Sequence, residues 1–561
     1  MKRMTGAELT LRLLERQDVG TIAGIPGGCN LPLYDALGAS GIRHVLARHE
    51  QGAGFIAQGM ARVTGRPAVC FGTSGPGATN LLTAIADAKL DSVPLVAVTG
   101  QVPRAMIGTD AFQEIDTYGL TVPITKHNFL VRSAAELLDV VPDAFRIAAS
   151  GRPGPVVIDV PKDVQNEAID IDILPAPGRA DPLPAPRAED VARAAAMIDA
   201  ADRPVLLVGA GVIAAEAAQT LRRFVDKAAL PTAATLLGLG ALPYDHPRFL
   251  GMVGMHAARS TNLILEECDL LVGLGIRFDD RATGKAAEFC PGARIIHVDV
   301  DASELGKIKT PTLGIRADVG ATLRALACAV APASRPAWTR RIARLRAEHP
   351  LVMRAPDDPL DPYGIIRHTA AVLPPDAIVT TDVGQHQMWA AQAFPCTRPR
   401  QWLTSGGLGT MGFGLPAAIG AALAAPGRPV ICFSGDGSLL MNLQELATAV
   451  EENVDVKIVL LNNAHLGLVR QQQELFYGGR YHASRFHAEP DFVTIARGFG
   501  VRAWDLGDAA DPRATLARAL AEPGPGLVNV PIDAAENVYP MVPPGGANRD
   551  MIGGARHASE C

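Results

Sequence analysis

The stretch Gly435-Asp436-Gly437, separated by twenty-five residues from Asn463, constrains this chain more than any other feature. Asp436 closes one apolar strand, a helix-like run follows from Ser438 to Glu452, and a second apolar strand, Val456 to Leu461, leads into Asn462-Asn463. Two buried strands joined by a helical crossover pair in parallel, which brings both strand ends to one edge of a sheet. There Asp436 can offer a carboxylate oxygen and Asn463 an amide oxygen, both hard ligands of the kind Mg²⁺ takes. Ser438, opening the helix, would turn free backbone N–H groups and the positive helix end toward phosphates. The plain alternative is an ordinary βαβ unit with an aspartate at a turn.

At 561 residues the chain exceeds what one hydrophobic core can serve, and ordinary domain sizes predict three domains. An apolar share of 48% with 5% aromatic residues, plus 56 Gly and 43 Pro, fits an α/β protein with many strand–turn–helix joints. The net charge of −6 provides no basic face for nucleic acid. No window offers the roughly 20 unbroken apolar residues of a membrane span. Met1 to Thr5 lead into a polar-spaced helix rather than a signal sequence. The eight cysteines show neither CxxC nor metal spacing, so reduced thiols in the cytoplasm are expected. HExxH is absent, since His49-Glu50 has no second histidine at the required place.

Two breaks divide the chain. Leu174 to Pro186 reads as a semi-rigid Pro/Ala linker, and a second break runs from about Pro332 through an Arg-rich helix (Arg340, Arg341, Arg344, Arg346) to Pro359. They predict domains at 1–172, 188–328 and 360–545, followed by a polar tail, 546–561. Each domain alternates short β-branched runs with helical runs, the pattern of mostly parallel sheets covered on both faces. In the first, Ala68 to Phe71 is a strand, Ser74 to Gly77 a turn, Leu81 to Asp87 a helix start and Pro94 to Val98 the next strand. The first and last domains share this architecture.

Glu50 follows the apolar strand His44 to Ala47 and precedes a Gly-rich helix, Gly52-Ala53-Gly54-Phe55. A carboxylate at the end of a parallel strand sits where α/β sheets bind ligands, and in an apolar pocket it can share a proton with a ring nitrogen. A lone Glu beside a His is otherwise a surface residue. The Gly435–Asn463 segment resembles the thiamin diphosphate (ThDP) signature, and Arg48-His49-Glu50-Gln51-Gly52-Ala53 is similar to that family's catalytic-glutamate segment. The resemblance implies that Glu50 bonds N1′ of the aminopyrimidine and promotes the imino form that removes the C2 proton. It implies Mg²⁺ on Asp436, Asn463 and the backbone carbonyl of His465. The remaining ThDP contacts it implies are Gly27, Gln385, His386, Gly409, Met411, Gly435, Gly437, Ser438 and Gly467. Met411 would be the apolar wedge that bends the cofactor; a core methionine is the alternative.

Further blocks are similar to acetolactate synthase (acetohydroxyacid synthase), catalytic subunit. They include Ile107 to Glu114, Thr125 to Asn128, Pro161 to Gln165, Gly254-Met255-His256, Arg277 to Arg281, Asp382 to Trp389, Gly407 to Gly414 and Val538 to Gly545. They run in order over nearly the whole chain. The resemblance implies a carboligase that decarboxylates pyruvate and condenses the two-carbon unit with pyruvate or 2-oxobutanoate. Arg277 would bind the carboxylate of the second substrate, a task for a planar, permanently charged fork. Phe112 and Met255 would shape its pocket, and Gln113 and Lys162 would line the channel. FAD contacts are implied at Arg152, Gly209, Gly211, Thr235, Leu236, Met255, His256, Arg259, Arg277, Asp299 and Asp318. By itself the Gly209-Ala210-Gly211 turn is weak, because the full GxGxxG is missing, and the aspartates could be strand-end turn residues.

Gln472 stands where some isozymes carry a Trp that favours 2-oxobutanoate, so that preference is expected to be weak, as in the bacterial isozyme I type. Without the resemblance, Gln471-Gln472-Gln473 would read as a solvated helix face. A homodimer is implied, with a tetramer as the alternative, ThDP between the N-terminal domain of one subunit and the C-terminal domain of the other, and a separate small regulatory subunit. The nearest rivals are a ThDP–FAD oxidase, which needs no clamp such as Arg277, and the flavin-free catabolic synthase. A non-catalytic relative should have lost Glu50, Asp436 or Asn463, and all are present.

Overall fold

The computed structural model describes residues 2–553. Three α/β domains follow one another, each built on a six-stranded parallel sheet covered by helices. In the first the strands lie in the order Arg43–Leu46, Thr21–Gly24, Ala68–Gly72, Leu95–Gln101, Pro155–Pro161, His127–Leu130. The third repeats that order with Trp402–Leu403, Ile378–Thr381, Val430–Gly435, Val456–Asn462, Gly526–Pro531 and Arg502–Asp505. The shared architecture of the first and last domains extends to their topology.

The central sheet differs. Its order is Phe249–Met252, Thr232–Ala234, Pro204–Val208, Leu270–Leu274, Arg294–Asp299, Leu313–Arg316, or 3-2-1-4-5-6 by position in the domain. In this doubly wound order the first strand lies mid-sheet, and a crevice opens at the strands' carboxyl ends where the winding reverses. Pro204–Val208 and Leu270–Leu274 are buried at every position, as expected of strands covered on both faces.

One contact decides how the outer domains sit. Helix Glu50–Thr64 starts at His49, whose ring accepts the Gln51 N–H, and stops at Gly65 in a left-handed turn (φ 72°). Its small residues face helix Gly414–Ala424. A Cβ on Gly59 would lie 2.2 Å from the Ala417 carbonyl oxygen, and one on Gly420 would lie 1.9 Å from that of Ile56. No side chain fits there, so the backbones touch, and Ile56, Met60, Leu415, Ile419 and Leu446 form a core shared by both domains. The ring of Phe55 meets Phe413 edge-on at 5.3 Å beside it.

No helix or strand lies between Ile171 and Ala188, as the linker reading expects. The Arg-rich segment is helix Pro336–Glu348, which buries Trp338, Ile342 and Leu345 against Val205 and Leu265 of the central sheet and its flanking helix. Two expectations change. The run Ser438–Glu452 is not one helix: a turn at Asp436–Leu439 and helix Glu445–Glu451 are separated at Leu440 to Gln444. Between them Asn442 turns its amide to the Gly412 carbonyl at 2.6 Å, which draws the backbone out of helical register. The presumed polar tail starts docked, with Asn548 and Met551 buried and the Arg259 guanidinium donating to the Met551 carbonyl at 2.7 Å. The rest of that tail, 554–561, lies outside the described residues. Among the described residues no helix is long and apolar enough to cross a membrane.

Candidate active site

Two cavities meet at the carboxyl edges of the central and third sheets. The smaller, about 220 Å³, is lined by Gln385, His386, Gly409, Met411, Gly435, Asp436, Gly437, Ser438, Asn463, His465, Gly467 and Gln472. Asp436 follows strand Val430–Gly435, and Asn463 follows the adjacent strand Val456–Asn462, so parallel pairing brings them together across the interval in sequence. One Asp436 oxygen accepts the Gly437 N–H at 2.8 Å, while the other is buried with no hydrogen-bond partner among the described residues. An unpartnered buried carboxylate oxygen is costly unless a cation meets it. Burial raises the Asp436 carboxyl to about 6. Among the described residues no three His, Cys, Asp or Glu side chains form a metal cluster, so a cation here would complete its shell with amide, carbonyl and phosphate oxygens.

Ala464 sits at φ 55°, a left-handed conformation that is costly for a residue with a Cβ. It turns the chain so that the His465 ring folds back onto the Asn463 carbonyl at 2.7 Å. The imidazole is thereby engaged in the turn. Because the run from Asp436 is a single turn, the helix-dipole contribution expected at Ser438 is small, and local backbone N–H groups are the donors on offer. His386 is fully enclosed; burial pushes its pKa down to about 3, and its Nε2 has no partner among the described residues.

The three glutamines do not form a solvated face. Gln471 is buried, receives the Gln385 amide at 3.1 Å and clasps Val538 through both its backbone N–H and its carbonyl. Gln473 holds the Ser484 hydroxyl at 2.7 Å. Gln472 alone lines both cavities, together with Val383, Gly409 and Leu468.

The larger cavity, about 470 Å³, lies in the crevice of the central sheet and is in the size range of cofactor sites. Gly211, Thr235, Leu236, Asp299 and Asp318 line it from the strand ends, and Arg152, Met255, His256 and Arg277 close it. Gly209 stands one layer back: a Cβ there would fall 2.3 Å from the Gly275 carbonyl oxygen. Arg259 is also outside the lining, held by Met551. Asp318 caps helix Val319–Ala329 by accepting the Ala321 N–H at 2.7 Å, so the turn role weighed for it is real although it borders the cavity. Asp299 faces inward with its carboxyl raised by burial to about 6, and a buried Glu304 oxygen has no partner among the described residues.

Arg277 reaches the cavity through local strain. Phe278 takes a left-handed φ of 53° while its ring packs edge-on against His297 at 5.0 Å and against Phe289. With Phe278 turned into the core, its neighbour is directed outward. The nearby Arg281 leans to Asp280 at 3.8 Å and Arg152 to Glu304 at 2.6 Å, whereas among the described residues no carboxylate pairs with the Arg277 guanidinium, which leaves its planar fork available to an incoming carboxylate.

The other expected residues gather elsewhere. Glu50, buried, accepts the Asn80 amide at 2.9 Å. A Cβ on Gly27 would meet Thr73 at 2.6 Å, and one on Gly75 would meet the Gln113 carbonyl oxygen at 2.8 Å, so these residues surround the Thr73–Gly77 turn. Lys162 opens helix Lys162–Asn166 at the end of strand Pro155–Pro161. Phe112 projects with 87% of its surface exposed from a loop that Glu114 braces by accepting the Thr109 and Ala111 N–H groups at 3.2 and 3.1 Å. Among the described residues, none of Gly27, Glu50, Phe112, Gln113 and Lys162 lines either cavity. Sequence reading missed Glu304, Gln387 and Trp389, which do; the signal for Gln387 and Trp389 was present in the Asp382–Trp389 block.

Comparison with known proteins matches the chain in three parts. The model "Thiamine pyrophosphate enzyme, N-terminal TPP binding domain" matches residues 4–120, the central-domain model matches 191–326, and the C-terminal TPP binding domain model matches 382–530. The acetolactate synthase isozyme 1 large subunit of Escherichia coli (strain K12) is 60% identical over 553 residues, covering 98% of either chain. The isozyme 2 large subunit of that strain is 46% identical over 549 residues, covering 98% of this chain and 99% of its own. A probable acetolactate synthase large subunit of Methanocaldococcus jannaschii is 45% identical over 564 residues, covering 98% of this chain and 95% of its own. With three domains matched in order and relatives aligned end to end, the chain belongs to the thiamine pyrophosphate enzymes and, among them, to the acetolactate synthase large subunits.

Proposed function

We propose that this chain is the catalytic subunit of an acetolactate synthase, joining a two-carbon unit from pyruvate to pyruvate or 2-oxobutanoate in the first common step of branched-chain amino-acid synthesis. The observation that carries the reading is the pair of joined cavities, with the partnerless Asp436 oxygen in one and the unpaired Arg277 fork beside the other. Asp436, Asn463 and the His465 carbonyl would hold Mg²⁺ on the diphosphate. Met411 would press on the cofactor between its rings. When bound, ThDP supplies an acidic C2–H and an electron sink for loss of CO₂. Arg277 would bind the acceptor carboxylate, and Met255 and Gln472 would bound its side chain. The central cavity, at the crevice of a doubly wound sheet, suits FAD, with Gly211, Thr235, Asp299 and Asp318 along it.

Two copies of the chain would form the working unit. Glu50, Gln113, Lys162 and Phe112 stand away from the cavities of their own chain, and Phe112 is a large apolar ring held in water on a braced loop. Such a ring gains most by covering another body. Glu50 of one copy would then hold the proton at N1′ of a cofactor seated in the other. The "large subunit" in the relatives' names suits a small regulatory partner. The seven free thiols among the described residues suit the cytoplasm.

The test is product analysis by NMR, with ThDP, Mg²⁺, FAD, pyruvate and an equal amount of 2-oxobutanoate. Acetolactate with comparable or lesser acetohydroxybutanoate is expected. Acetate with oxygen uptake would replace the synthase by an oxidase, and absence of turnover with a small subunit added would overturn the carboligase.

A further inference from the structure

Helix Pro76–Asp91 of the N-terminal domain carries two carboxylates, Asp87 and Asp91, on one face, four residues apart. Both are buried, and they share one guanidinium, Arg62, whose Nη2 lies 3.3 Å from Asp87 and 2.8 Å from Asp91. Two buried anions on one cation are a poor way to stabilise a fold, since apolar side chains of similar volume would serve better. Their other bonds all go to one loop of the third domain. Asp91 accepts the backbone N–H groups of Gly406 at 3.0 Å and Gly407 at 2.7 Å. Asp87 accepts the Thr410 hydroxyl at 3.0 Å and the Ser405 hydroxyl, which in turn receives the Thr410 N–H at 2.9 Å.

That loop carries Gly409 and Met411 into the smaller cavity. Just past Met411 it is fixed again: Asp382 accepts the N–H groups of Gly412 and Gly414 at 2.8 and 3.0 Å, and Asn442 donates to the Gly412 carbonyl. Met411 is thus one residue between two anchors, one from its own domain and one lent by the N-terminal domain. The same helix carries Asn80, the partner of Glu50, two turns or about 10.5 Å before Asp87.

We infer that Asp87 and Asp91 are positioning residues, by which the N-terminal domain sets the Met411 loop of the cofactor cavity in its own chain. The inference rests on the ThDP reading of that cavity. A single rigid helix then serves two places: its start steadies Glu50, and its end holds the loop that receives the cofactor.

The experiment compares the unaltered chain with Asp91→Asn, Thr410→Val and Thr410→Ser. Thr410→Val removes only one hydroxyl and keeps the fold if Asp91→Asn does not. Amide hydrogen exchange of the 404–412 segment is followed in the cofactor-free protein, and ThDP Kd is measured by calorimetry with Mg²⁺. Exchange in that segment is expected to quicken about tenfold in Thr410→Val, the equivalent of one hydrogen bond, with helix Gly414–Ala424 unaffected. ThDP Kd should weaken about 5- to 10-fold, with Thr410→Ser restoring both values. Unchanged exchange with Kd within about twofold would overturn the positioning role. If the unaltered chain binds no ThDP, the cofactor reading fails instead, and the exchange measurement still decides whether the carboxylates hold the loop.

Discussion

The Glu445 carboxylate of the third domain accepts the backbone N–H of His49 at 3.1 Å, one residue before Glu50. The same oxygen takes the Arg48 N–H at 3.0 Å, and the other takes the Thr448 hydroxyl at 2.7 Å. The N-terminal domain holds the Met411 loop through buried aspartates, and the third domain holds the Glu50 segment through a buried glutamate. Glu445→Ala would leave two backbone N–H groups without an acceptor, at about 1–3 kcal/mol each. Glu445→Gln keeps one acceptor and should lose less than about 1 kcal/mol. Urea unfolding reads the stability difference. Turnover should fall further in Glu445→Ala than the loss of folded protein accounts for, because the residue after the freed amides is Glu50.

A second prediction follows from the separation of Glu50 and Asp436. Glu50→Gln and Asp436→Asn chains should each be nearly inactive, by about 10²-fold or more for loss of the proton-sharing carboxylate. Mixed and reassembled in equal amounts, half the dimers would contain one of each and one intact site of two. Activity should return to about one quarter of the unaltered level. No recovery in a mixture shown by mass spectrometry to exchange subunits would mean that each chain completes its own site.

The fold was legible because the strands announce themselves, and the candidate site because its residues stand at strand ends. Asp436 and Asn463 each close an apolar run, and parallel pairing makes such ends neighbours. The absence of helix and strand over 174–186 was legible for a similar local reason, its proline content. What escaped was non-local or carried by ordinary residue types. Asp87, Asp91 and Glu445 bond partners more than 300 positions away, and no periodicity marks them. Phe278 and Ala464 adopt left-handed conformations without being glycine, so composition gave no hint. The break at Leu440–Gln444 depends on Asn442 finding Gly412, a tertiary bond overriding helix propensity. Gln472 could be given a role only by resemblance; its place at the junction of the cavities supplies the geometry.

Under the proposed function, that place makes Gln472 the handle on acceptor choice. An indole there would add apolar surface against the extra methyl of 2-oxobutanoate, and one methylene is worth roughly 1–3 kcal/mol in such pockets. Gln472→Trp should shift the product ratio toward acetohydroxybutanoate by about tenfold or more at equal substrate concentrations. Competition analysed by NMR gives the ratio directly. An unchanged ratio would place the acceptor's side chain elsewhere in the cavity.

The last prediction concerns pH and a group away from both cavities. Asp159, fully buried on strand Pro155–Pro161 next to the edge of the first sheet, accepts the Thr99 hydroxyl at 2.6 Å and the Gln101 amide at 3.0 Å. Gln101 also donates to the Ile115 carbonyl at 2.9 Å, at the base of the loop bearing Phe112 and Gln113. Burial raises the Asp159 carboxyl from 3.8 to about 7, against the lowering effect of its two donors. Because the folded value lies above the unfolded one, the folded state holds the proton more tightly. The stability this confers is fully present below pH 3.8 and is lost as pH rises through about 7. Asp87, Asp382 and Asp436, each raised to about 6, act in the same direction, so the parent alone cannot isolate Asp159. Asp159→Asn is neutral at every pH and removes this one contribution. Urea unfolding at pH 5 and pH 8 should therefore show a smaller loss of stability in the variant than in the parent. Equal losses would mean that Asp159 ionises with its ordinary carboxylate pKa in the folded protein.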